Sequence, residues 1–326
     1  MMIENSRFFT EDPADKLSDL DEGSIDLVVT APPSYSEDRF SKEYLDHSYC
    51  WDSLSNYLEY MEKVFTEVYH VLKNQHYCII VAGDQTYNNK AVVLNSEKIP
   101  LPAYFTAMLT RIGFSYLSEV VWDKGGYENP YVPTAPRYPY NVMPKNCCEH
   151  ILIFSKRKIN YNRIPCPYCG GTYTSRACIT QENARQWRCE NPDCPGRVGL
   201  KGGKTFSEYS IMVNDCKTEE NIIPVEVIDK WHRNIVKIEP RSRSYAEKYR
   251  RQRFIPMEII EMAMRYFSGV DDLVLDPFVG IGRTMFAAVK LNRKYVCFER
   301  DTNNQKVMFG EAEFLQEEFT SGYPLY

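Results

Sequence analysis

One short loop of this 326-residue chain holds groups that could support catalysis. It consists of Thr30, Ala31, Pro32, Pro33, Ser34 and Tyr35 and follows an apolar run, Ile25–Thr30. Consecutive prolines fix the backbone and supply carbonyl acceptors without neighbouring amide donors, which suits the binding of an amino group. The Tyr35 ring offers a surface on which a planar base could stack. Two prolines are also common where a strand ends, so the loop taken alone favours a structural turn.

A second, glycine-rich loop joins a predicted strand to a predicted helix. Its candidate ligand-binding residues are Asp276, Pro277, Phe278, Gly280, Gly282 and Thr284. Glycines let the backbone approach a ligand closely, and the start of a helix adds amide groups that lack helical partners. Glu299 ends the next predicted strand, where a carboxylate could bind a ribose diol. The spacing differs from the G-x-G-x-x-G of nicotinamide-binding folds, so a generic glycine turn is the alternative.

Two close cysteine pairs predict a structural zinc site. Two residues separate Cys166 from Cys169, and four separate Cys189 from Cys194. Four thiolates in two turns suit tetrahedral zinc, which could fold a segment that has too few apolar residues for its own core. Cys178 is an alternative ligand, and reduced cysteines without metal are the alternative interpretation. A catalytic zinc is not expected, because we find neither an open three-ligand set with histidine nor a His-x-Glu motif.

Basic residues cluster in two parts of a chain whose net charge is −5. Nine Lys or Arg against two Glu lie between positions 230 and 253, and further arginines surround the cysteine pairs. We therefore predict DNA contacts at Arg185, Arg188, Arg241, Arg243, Arg250 and Arg251. An ordinary solvated helix face would have the same composition, so charge alone does not decide between the two.

The composition restricts the class of protein. Hydrophobic residues make up 44% and charged residues 25%, which is typical of a folded, soluble chain and excludes a disordered one. No apolar run approaches the length of a membrane span, and the N-terminal residues lack the apolar core of a signal peptide. Eleven scattered cysteines do not suggest a disulfide framework. We therefore expect a cytoplasmic protein without a membrane partner.

Alternating strands and helices are predicted to position the two loops. Apolar runs predict strands at 25–30, 77–82, 116–122, 150–155, 273–276 and 295–298. Helical spacing predicts helices at 54–72, 102–111, 257–267, 284–291 and the C-terminus. Repeated β-α units indicate an α/β fold with a mostly parallel sheet and helices on both faces. Ligands bind beyond the carboxyl ends of strands in such sheets, and both loops fall there.

Residues 157 to about 245 interrupt this alternation. The segment is rich in Cys, Gly, Arg and Asn and contains both cysteine pairs. We therefore predict three parts, with residues 157–245 as an inserted module between 1–156 and 246–326. The stretch 123–147, rich in Gly, Pro, Asn and Tyr, is predicted to be a functional or disordered loop.

Together the motifs resemble those of the β-group DNA amino-methyltransferases. The matching stretches are DLVVTAPPSY, VAGD, EHILIFSK, RFIP and LVLDPFVGIGRT followed by FERD. They cover most of residues 20–156 and 250–303, in the family's permuted order. The resemblance implies a Rossmann-like, S-adenosylmethionine-dependent methyltransferase sheet, with 1–156 as its catalytic half and 246–326 as its cofactor half. It also implies that the zinc-binding insert, 157–245, recognises the target sequence.

The resemblance assigns roles to the two loops. The glycine-rich loop would hold S-adenosylmethionine, with Glu299 on the ribose hydroxyls and with Phe254 and Pro256 beside the methionine moiety. The Pro-Pro loop would receive a base flipped out of duplex DNA and hydrogen-bond its amino group. Positioning and electrostatics would then supply catalysis without a covalent enzyme intermediate.

The Pro-Pro loop departs from the family pattern at two positions. The family has Asp, Asn or Ser before Pro-Pro and an aromatic residue after it, whereas this chain has Ala31 and Ser34. Ala31 offers no side-chain acceptor and Ser34 no ring, although Tyr35 could stack if the loop is offset by one residue. Three interpretations stay open: an active enzyme with a variant loop, a catalytically silent DNA-binding protein, or an introduced substitution at Ala31 that blocks turnover. We predict the active enzyme.

The target base and the partners follow from the same resemblance. The residues before Pro-Pro and the Phe-x-Pro stretch favour cytosine N4 over adenine N6. Duplex DNA is the expected substrate, and the permuted motif order disfavours an RNA base methyltransferase. A cognate restriction endonuclease, in a restriction–modification or host-defence context, and a homodimer are consistent with the family.

Overall fold

A computed structural model describes residues 6–35, 51–86, 98–125, 146–197, 203–238 and 255–310 of the chain. The strands in these ranges are β1 (Arg7–Phe9), β2 (Ile25–Thr30), β3 (Leu72–Ala82), β4 (Gln85–Thr86), β5 (Lys98–Ile99), β6 (Ser115–Asp123), β7 (Cys148–Ser155), β8 (Thr174–Ile179), β9 (Arg185–Cys189), β10 (Thr205–Phe206), β11 (Ile235–Lys237), β12 (Leu273–Asp276) and β13 (Lys294–Phe298). The helices are α1 (Pro13–Lys16), α2 (Leu54–Val71), α3 (Leu101–Ile112), α4 (Glu208–Asp215), α5 (Val225–Trp231), α6 (Met257–Phe267), α7 (Arg283–Lys290) and α8 (Thr302–Gly310).

Eight of these strands form one large sheet in the order β1-β13-β12-β2-β3-β7-β6-β11. Neighbours are parallel except at β7, which is antiparallel to both β3 and β6. The prediction of a mostly parallel sheet is confirmed. Strand β7 therefore runs opposite to the other strands of the sheet, and it follows β6 directly in sequence as its antiparallel neighbour.

The carboxyl ends of the central parallel strands lie at one edge of this sheet. Val28 of β2 is paired with Leu275 of β12, and Asp276 of β12 is paired with Cys297 of β13. The residues that follow these strands therefore emerge side by side, although β2 and β12 are far apart in sequence. We call this edge the carboxyl edge and the opposite one the amino edge.

Helices cover both faces of the sheet, as predicted. On one face, in a hydrophobic cluster that we call the first core, α2 buries Tyr57, Met61, Phe65 and Val68 completely, at the three- and four-residue spacing of an apolar helix stripe. Ser53 caps the N-terminus of this helix, since its hydroxyl accepts a hydrogen bond from the N–H of Asn56 (3.2 Å). On the other face α6 and α7 pack against the same strands and form the second core. Full burial of each large apolar side chain contributes about 2 kcal/mol, so the two faces together hold the strands in place.

A second, three-stranded sheet, β10-β9-β8, lies in the segment predicted as an insert. The same segment also contains α5 and β11, which return to the large sheet: β11 pairs with β6, and Trp231 and Val236 are buried in the second core. The three-part division into 1–156, 157–245 and 246–326 stays a prediction. None of the helices in the described ranges is long and apolar enough to span a membrane.

Candidate active site

Asp276 connects the two predicted functional loops. It ends β12, is 3% exposed, and accepts hydrogen bonds from the hydroxyls of Thr30 (2.7 Å) and Thr284 (2.6 Å) and from the N–H of Phe278 (3.0 Å). Burial raises the pKa of Asp276 to about 6, and the three donors oppose this rise because they favour the charged form. Thr30 is the first residue of the Pro-Pro loop, and Thr284 lies in the first turn of α7. One carboxylate therefore fixes the two loops beside each other.

The two glycines of the second loop differ in their surroundings. Both have positive φ angles, +60° at Gly280 and +92° at Gly282. A Cβ at Gly282 would lie 2.8 Å from Met308 Cγ and 2.9 Å from the Phe286 ring, so glycine is required there for packing. A Cβ at Gly280 would meet nothing within 4 Å. Gly280 thus lines an open space in front of the backbone, whereas Gly282 allows α7 to begin directly behind it.

Glu299 lies next to this open space. It is 3% exposed, and its carboxylate accepts hydrogen bonds from the N–H of Asp301 (2.7 Å), from Asn304 Nδ2 (3.2 Å) and from the N–H of Gly280. Its own N–H donates to the Phe9 carbonyl of β1 (3.0 Å), which holds the end of β13 in place. Burial raises the pKa of Glu299 to about 7. The side chain is therefore a buried acceptor within reach of the glycine loop.

Asp12 anchors a group of side chains beside the glycine loop that the sequence patterns did not identify. Asp12 caps α1 by accepting a bond from the N–H of Ala14 (2.9 Å), and it also accepts from the Tyr60 hydroxyl (2.7 Å) and from Arg300. The Tyr60 ring lies 6.5 Å from that of Phe278. The sequence feature that could have pointed to Asp12 is the proline after it, because Asp followed by Pro is a common start of a helix.

The Pro-Pro loop is held from the side of α2. The Tyr57 hydroxyl donates to the Pro33 carbonyl (3.1 Å), and Ala31, Pro32 and Pro33 are half-buried. Ser34 is exposed. Tyr35 is only 7% exposed, with its ring 5.7 Å from that of Tyr57 in the first core. The role predicted for Tyr35 would therefore require its ring to leave this core.

The segment before α6 also reaches the glycine loop. Arg283, buried at the start of α7, donates from Nη1 to the Ile255 carbonyl (2.9 Å). Pro256 follows and is half-buried at the N-terminus of α6. Phe254 lies outside the described residues. The structure thus brings Pro256 to the same edge as Pro277, Phe278 and Gly280.

Four cysteines meet in the small sheet. The Sγ atoms of Cys166, Cys169, Cys189 and Cys194 all lie within 4.8 Å of one another, and the pairs Cys166–Cys194 and Cys169–Cys189 are 3.7 Å apart. Trp187 and Phe206 pack against them in a third, smaller core. Cys178 is exposed and lies outside this group, with its thiol bonded to Gln186 Oε1 (3.0 Å).

The two described arginines of the predicted DNA surface differ in setting. Arg185 is half-buried, and its guanidinium lies 5.1 Å from the centre of the Tyr161 ring. Arg188 is exposed on β9. Arg241, Arg243, Arg250 and Arg251 lie outside the described residues.

Comparison with known proteins confirms the prediction of an N6/N4 DNA amino-methyltransferase family. A model of the N6/N4 DNA methylase family matches residues 25–308. The chain belongs to this family. Among curated members, the Type II beta methyltransferase M.BslI of Bacillus sp. is 34% identical over 138 residues, 41% of this chain but only 13% of that longer protein. The Type II methyltransferase M.MjaI of Methanocaldococcus jannaschii is 25% identical over 90% of this chain and 87% of its own length.

Solved structures of similar proteins share the fold. A Thermus thermophilus protein assigned as a DNA modification methylase superposes with a TM-score of 0.59 at 23% identity, over 98% of this chain and 97% of its own. A second structure of that protein is a complex with S-adenosyl-L-methionine, with a TM-score of 0.58 and 22% identity over 98% of this chain and 97% of that one. PvuII DNA methyltransferase, which is cytosine-N4-specific, gives 0.51 at 16% identity over 94% and 86% of the two chains. The methyltransferase sheet predicted for the family is therefore the one observed.

Proposed function

We propose that the protein transfers the methyl group of S-adenosylmethionine to the exocyclic amino group of a base flipped out of duplex DNA. The hydrogen bonds from Thr30 and Thr284 to Asp276 carry the proposal. They hold the loop that would bind the base beside the loop that would bind the methyl donor. Such pre-organisation lowers the barrier of a transfer between two bound molecules, because their relative orientation is already fixed.

The glycine-rich loop fits S-adenosylmethionine. Gly280 leaves open space in front of the backbone, and the buried carboxylate of Glu299 beside it suits the two hydroxyls of a ribose. Asp276, Pro277, Phe278, Gly282 and Thr284 would shape this site, and Phe254 and Pro256 would close it from the segment before α6. When bound, the cofactor supplies a methyl group on a positively charged sulfur.

The Pro-Pro loop would orient the amino group of the base. Its lone pair is delocalised into the aromatic ring, so hydrogen bonds from both amino hydrogens to fixed acceptors favour a more nucleophilic, pyramidal nitrogen. The Pro33 carbonyl already accepts a hydrogen bond from the Tyr57 hydroxyl. The Pro32 carbonyl is therefore the acceptor that we assign to the amino group of the base. The amino proton released after transfer passes to water, and the enzyme forms no covalent intermediate.

Cytosine N4 is the target that we favour over adenine N6. The residues at the Pro-Pro loop and the Phe254-x-Pro256 stretch resemble the cytosine branch of the β-group, whose permuted order the three parts of the chain follow. The likeness to the cytosine-N4-specific PvuII enzyme supports the same choice. The type II relatives support a restriction–modification context with a cognate endonuclease, and a homodimer belongs to the same proposal.

One experiment tests the activity and the target together. Purified protein is incubated with labelled S-adenosylmethionine and unmethylated genomic DNA, and the nucleosides are then separated. N4-methylcytosine is the expected product. N6-methyladenine would overturn the choice of base, and absence of any product while cofactor and DNA still bind would overturn the proposed activity.

A catalytically silent DNA-binding protein is the second candidate. Two observations favour it: Ala31 has no side-chain acceptor, and Ser34 is exposed without a ring while Tyr35 is buried against Tyr57. Cofactor binding would then be retained without turnover. The nucleoside analysis separates the two candidates, because only an enzyme produces a methylated base.

The cysteine group fits a structural zinc ion. A tetrahedral site with Zn–S bonds of about 2.3 Å has sulfur–sulfur distances of about 3.8 Å. Two of the observed separations are 3.7 Å, far too long for a disulfide and close to this value. We therefore propose that Cys166, Cys169, Cys189 and Cys194 bind zinc and that the metal stabilises the small sheet.

A further inference from the structure

The small sheet with its four cysteines, residues 157–206, is attached at the amino edge of the large sheet. We call these residues the cysteine module. Strand β7 leads into it, runs antiparallel to β3 and ends with Ser155, which is paired with Tyr77. Beyond that point the N–H of Lys158 donates to Asn74 Oδ1 (2.9 Å). The chain thus leaves the large sheet at the end opposite to the two functional loops.

The exit from the module lies at the same edge. Glu208, at the start of α4, accepts a hydrogen bond from Asn74 Nδ2 (2.7 Å) and another from Asn160. After α4, Asn221 Oδ1 accepts from the N–H of Val270, just before β12 begins (2.8 Å). Both connections of the module are therefore fixed at the amino edge. The six residues of β2 alone separate the edges by about 20 Å.

One face of the module is turned to solvent and carries a positive charge at its centre. In the middle strand β9, Trp187 and Cys189 point into the third core, while Arg188 between them is exposed. Residues paired across a sheet share a face, and Arg188 is paired with Ser175 on one side and Thr205 on the other. The Ser175 hydroxyl donates to the carboxylate of Glu190, so the groups of this face that suit a phosphate are the Arg188 guanidinium and the Thr205 hydroxyl.

The net charge of the cysteine module also favours binding of an anionic partner. Residues 157–206 contain nine Lys or Arg and three Asp or Glu, a net charge of +6 in a chain whose total is −5. The rest of the chain is therefore strongly acidic. Arg185 does not belong to the exposed face, because it packs on Tyr161. Arg188, the exposed arginine at the centre of the sheet, is the residue best placed to meet an anionic polymer.

We propose that the face around Arg188 binds backbone phosphates of duplex DNA that lie outside the base pairs reached by the two functional loops. The proposal rests on the proposed function only in taking DNA as the substrate. It gives the module a sequence-independent role: it adds affinity and holds the flanking duplex, while recognition of the bases belongs to elements at the carboxyl edge. This departs from the prediction that the insert reads the target sequence.

The test compares Arg188→Ala with Arg111→Ala, a charge-matched control on α3 outside the module, where Arg111 is exposed and paired with Glu62. Binding of each full-length protein to a 60-base-pair duplex of arbitrary sequence is measured by fluorescence anisotropy over a range of salt concentrations. We expect Arg188→Ala to bind several-fold more weakly and to reduce the slope of log affinity against log salt by about one, as loss of one phosphate contact does. Arg111→Ala should match the wild type.

Mapping of the methylated positions on plasmid DNA gives the second readout. Arg188→Ala should modify the same sequence as the wild type. A relaxed or altered sequence would overturn the proposal, since the module would then read bases, and so would salt-dependent binding equal to that of Arg111→Ala. Arg188→Ala is judged to be correctly folded if its content of cysteine-bound metal and its thermal unfolding midpoint equal those of the wild type. A protein that transfers no methyl group would refute the proposed function, whereas the anisotropy comparison would still decide the role of Arg188.

Discussion

The hydroxyl of Thr30 donates a 2.7 Å hydrogen bond to the carboxylate of Asp276, although 246 positions separate the two residues in the chain. The bond exists because β2 and β12 are parallel neighbours and both end at the carboxyl edge. It joins the first residue of the Pro-Pro loop to the first residue of the glycine-rich loop. The two halves of the methylase sheet therefore meet at a buried, charged hydrogen bond.

Thr30→Val should weaken this junction. Valine has nearly the same shape but no hydroxyl, so the buried carboxylate loses one of its three donors. We expect the free energy of unfolding to fall by about 1–3 kcal/mol, measured by urea denaturation. Thr30→Ser, which keeps the hydroxyl, is the matched control and should lose clearly less. Equal losses in both variants would mean that the methyl group, and not the hydrogen bond, matters at this position.

Substitution of the two glycines should separate ligand binding from folding. Gly280→Ala places a methyl group in open space at the cost of a strained φ, about 1 kcal/mol, so the protein should fold but bind S-adenosylmethionine more weakly. Gly282→Ala adds contacts under 3 Å with Met308 and Phe286 and should be the less stable variant in thermal melting. Isothermal titration measures the affinity. Unchanged cofactor affinity in folded Gly280→Ala would contradict the assignment of this space to the ligand.

Affinity for S-adenosylmethionine should fall as the pH is lowered from 8 to 6. Burial raises the pKa of Glu299 from 4.5 to about 7, so the carboxylate that would accept bonds from the ribose hydroxyls is largely protonated at pH 6. We expect roughly tenfold weaker binding there than at pH 8. Because protonation of a raised carboxyl group favours the folded state, the free energy of unfolding should also decrease as the pH rises from about 4.5 to 7.

Glu299→Gln provides the control for this pH dependence. Glutamine cannot ionise, so its affinity should be low and nearly constant between pH 6 and 8. A wild-type protein whose affinity does not change over this range would show that Glu299 is not the group that binds the ribose.

The cysteine module should contain one zinc ion per chain. Cys189→Ser should lose this metal, measured by mass spectrometry of the purified protein, because a serine hydroxyl is a poor zinc ligand. Trp187 is buried beside the cysteines, so its fluorescence should shift to longer wavelength when the metal is lost. Cys178→Ser, outside the group, should keep the metal. Metal retained in Cys189→Ser would refute the four-cysteine site.

Periodicity was enough to predict the elements that carry the site. Helix α6 has the predicted bounds, Met257–Phe267, and so does strand β12, Leu273–Asp276. In each of these elements the apolar residues have the spacing expected for its type of secondary structure, and the same residues are buried in the fold. Strand β3 begins at Leu72, five residues before the predicted start, because Gln75 with a positive φ and the shifted pairing beside Ile25 interrupt the pattern.

The position of the cysteine module could not be predicted from the same patterns. It depends on hydrogen bonds between residues far apart in the chain, such as Asn74 and Glu208, which are separated by 134 positions. Both residues are polar and would suit an exposed position equally well, so the sequence gives no sign that they pair. The burial of Tyr35 had no local signal either, since it results from contact with Tyr57 on α2. Sequence spacing identified the candidate residues of each loop, whereas the residues that hold the loops in place, such as Tyr57 at Pro33, are known only from the folded structure.

Ala31→Ser tests whether the missing acceptor limits catalysis. Ala31 is half-buried between Thr30 and the two prolines, so a serine hydroxyl fits with little strain and restores a side-chain acceptor at the position where the family carries one. If the amino group of the base lacks this second acceptor in the wild type, single-turnover methyl transfer should become faster, by about tenfold for one added hydrogen bond of 1–1.5 kcal/mol in the transition state. Ala31→Val, which adds volume without an acceptor, is the control. Transfer that is unchanged or slower in both Ala31→Ser and Ala31→Asp would mean that Ala31 does not limit the reaction and that the Pro32 carbonyl suffices.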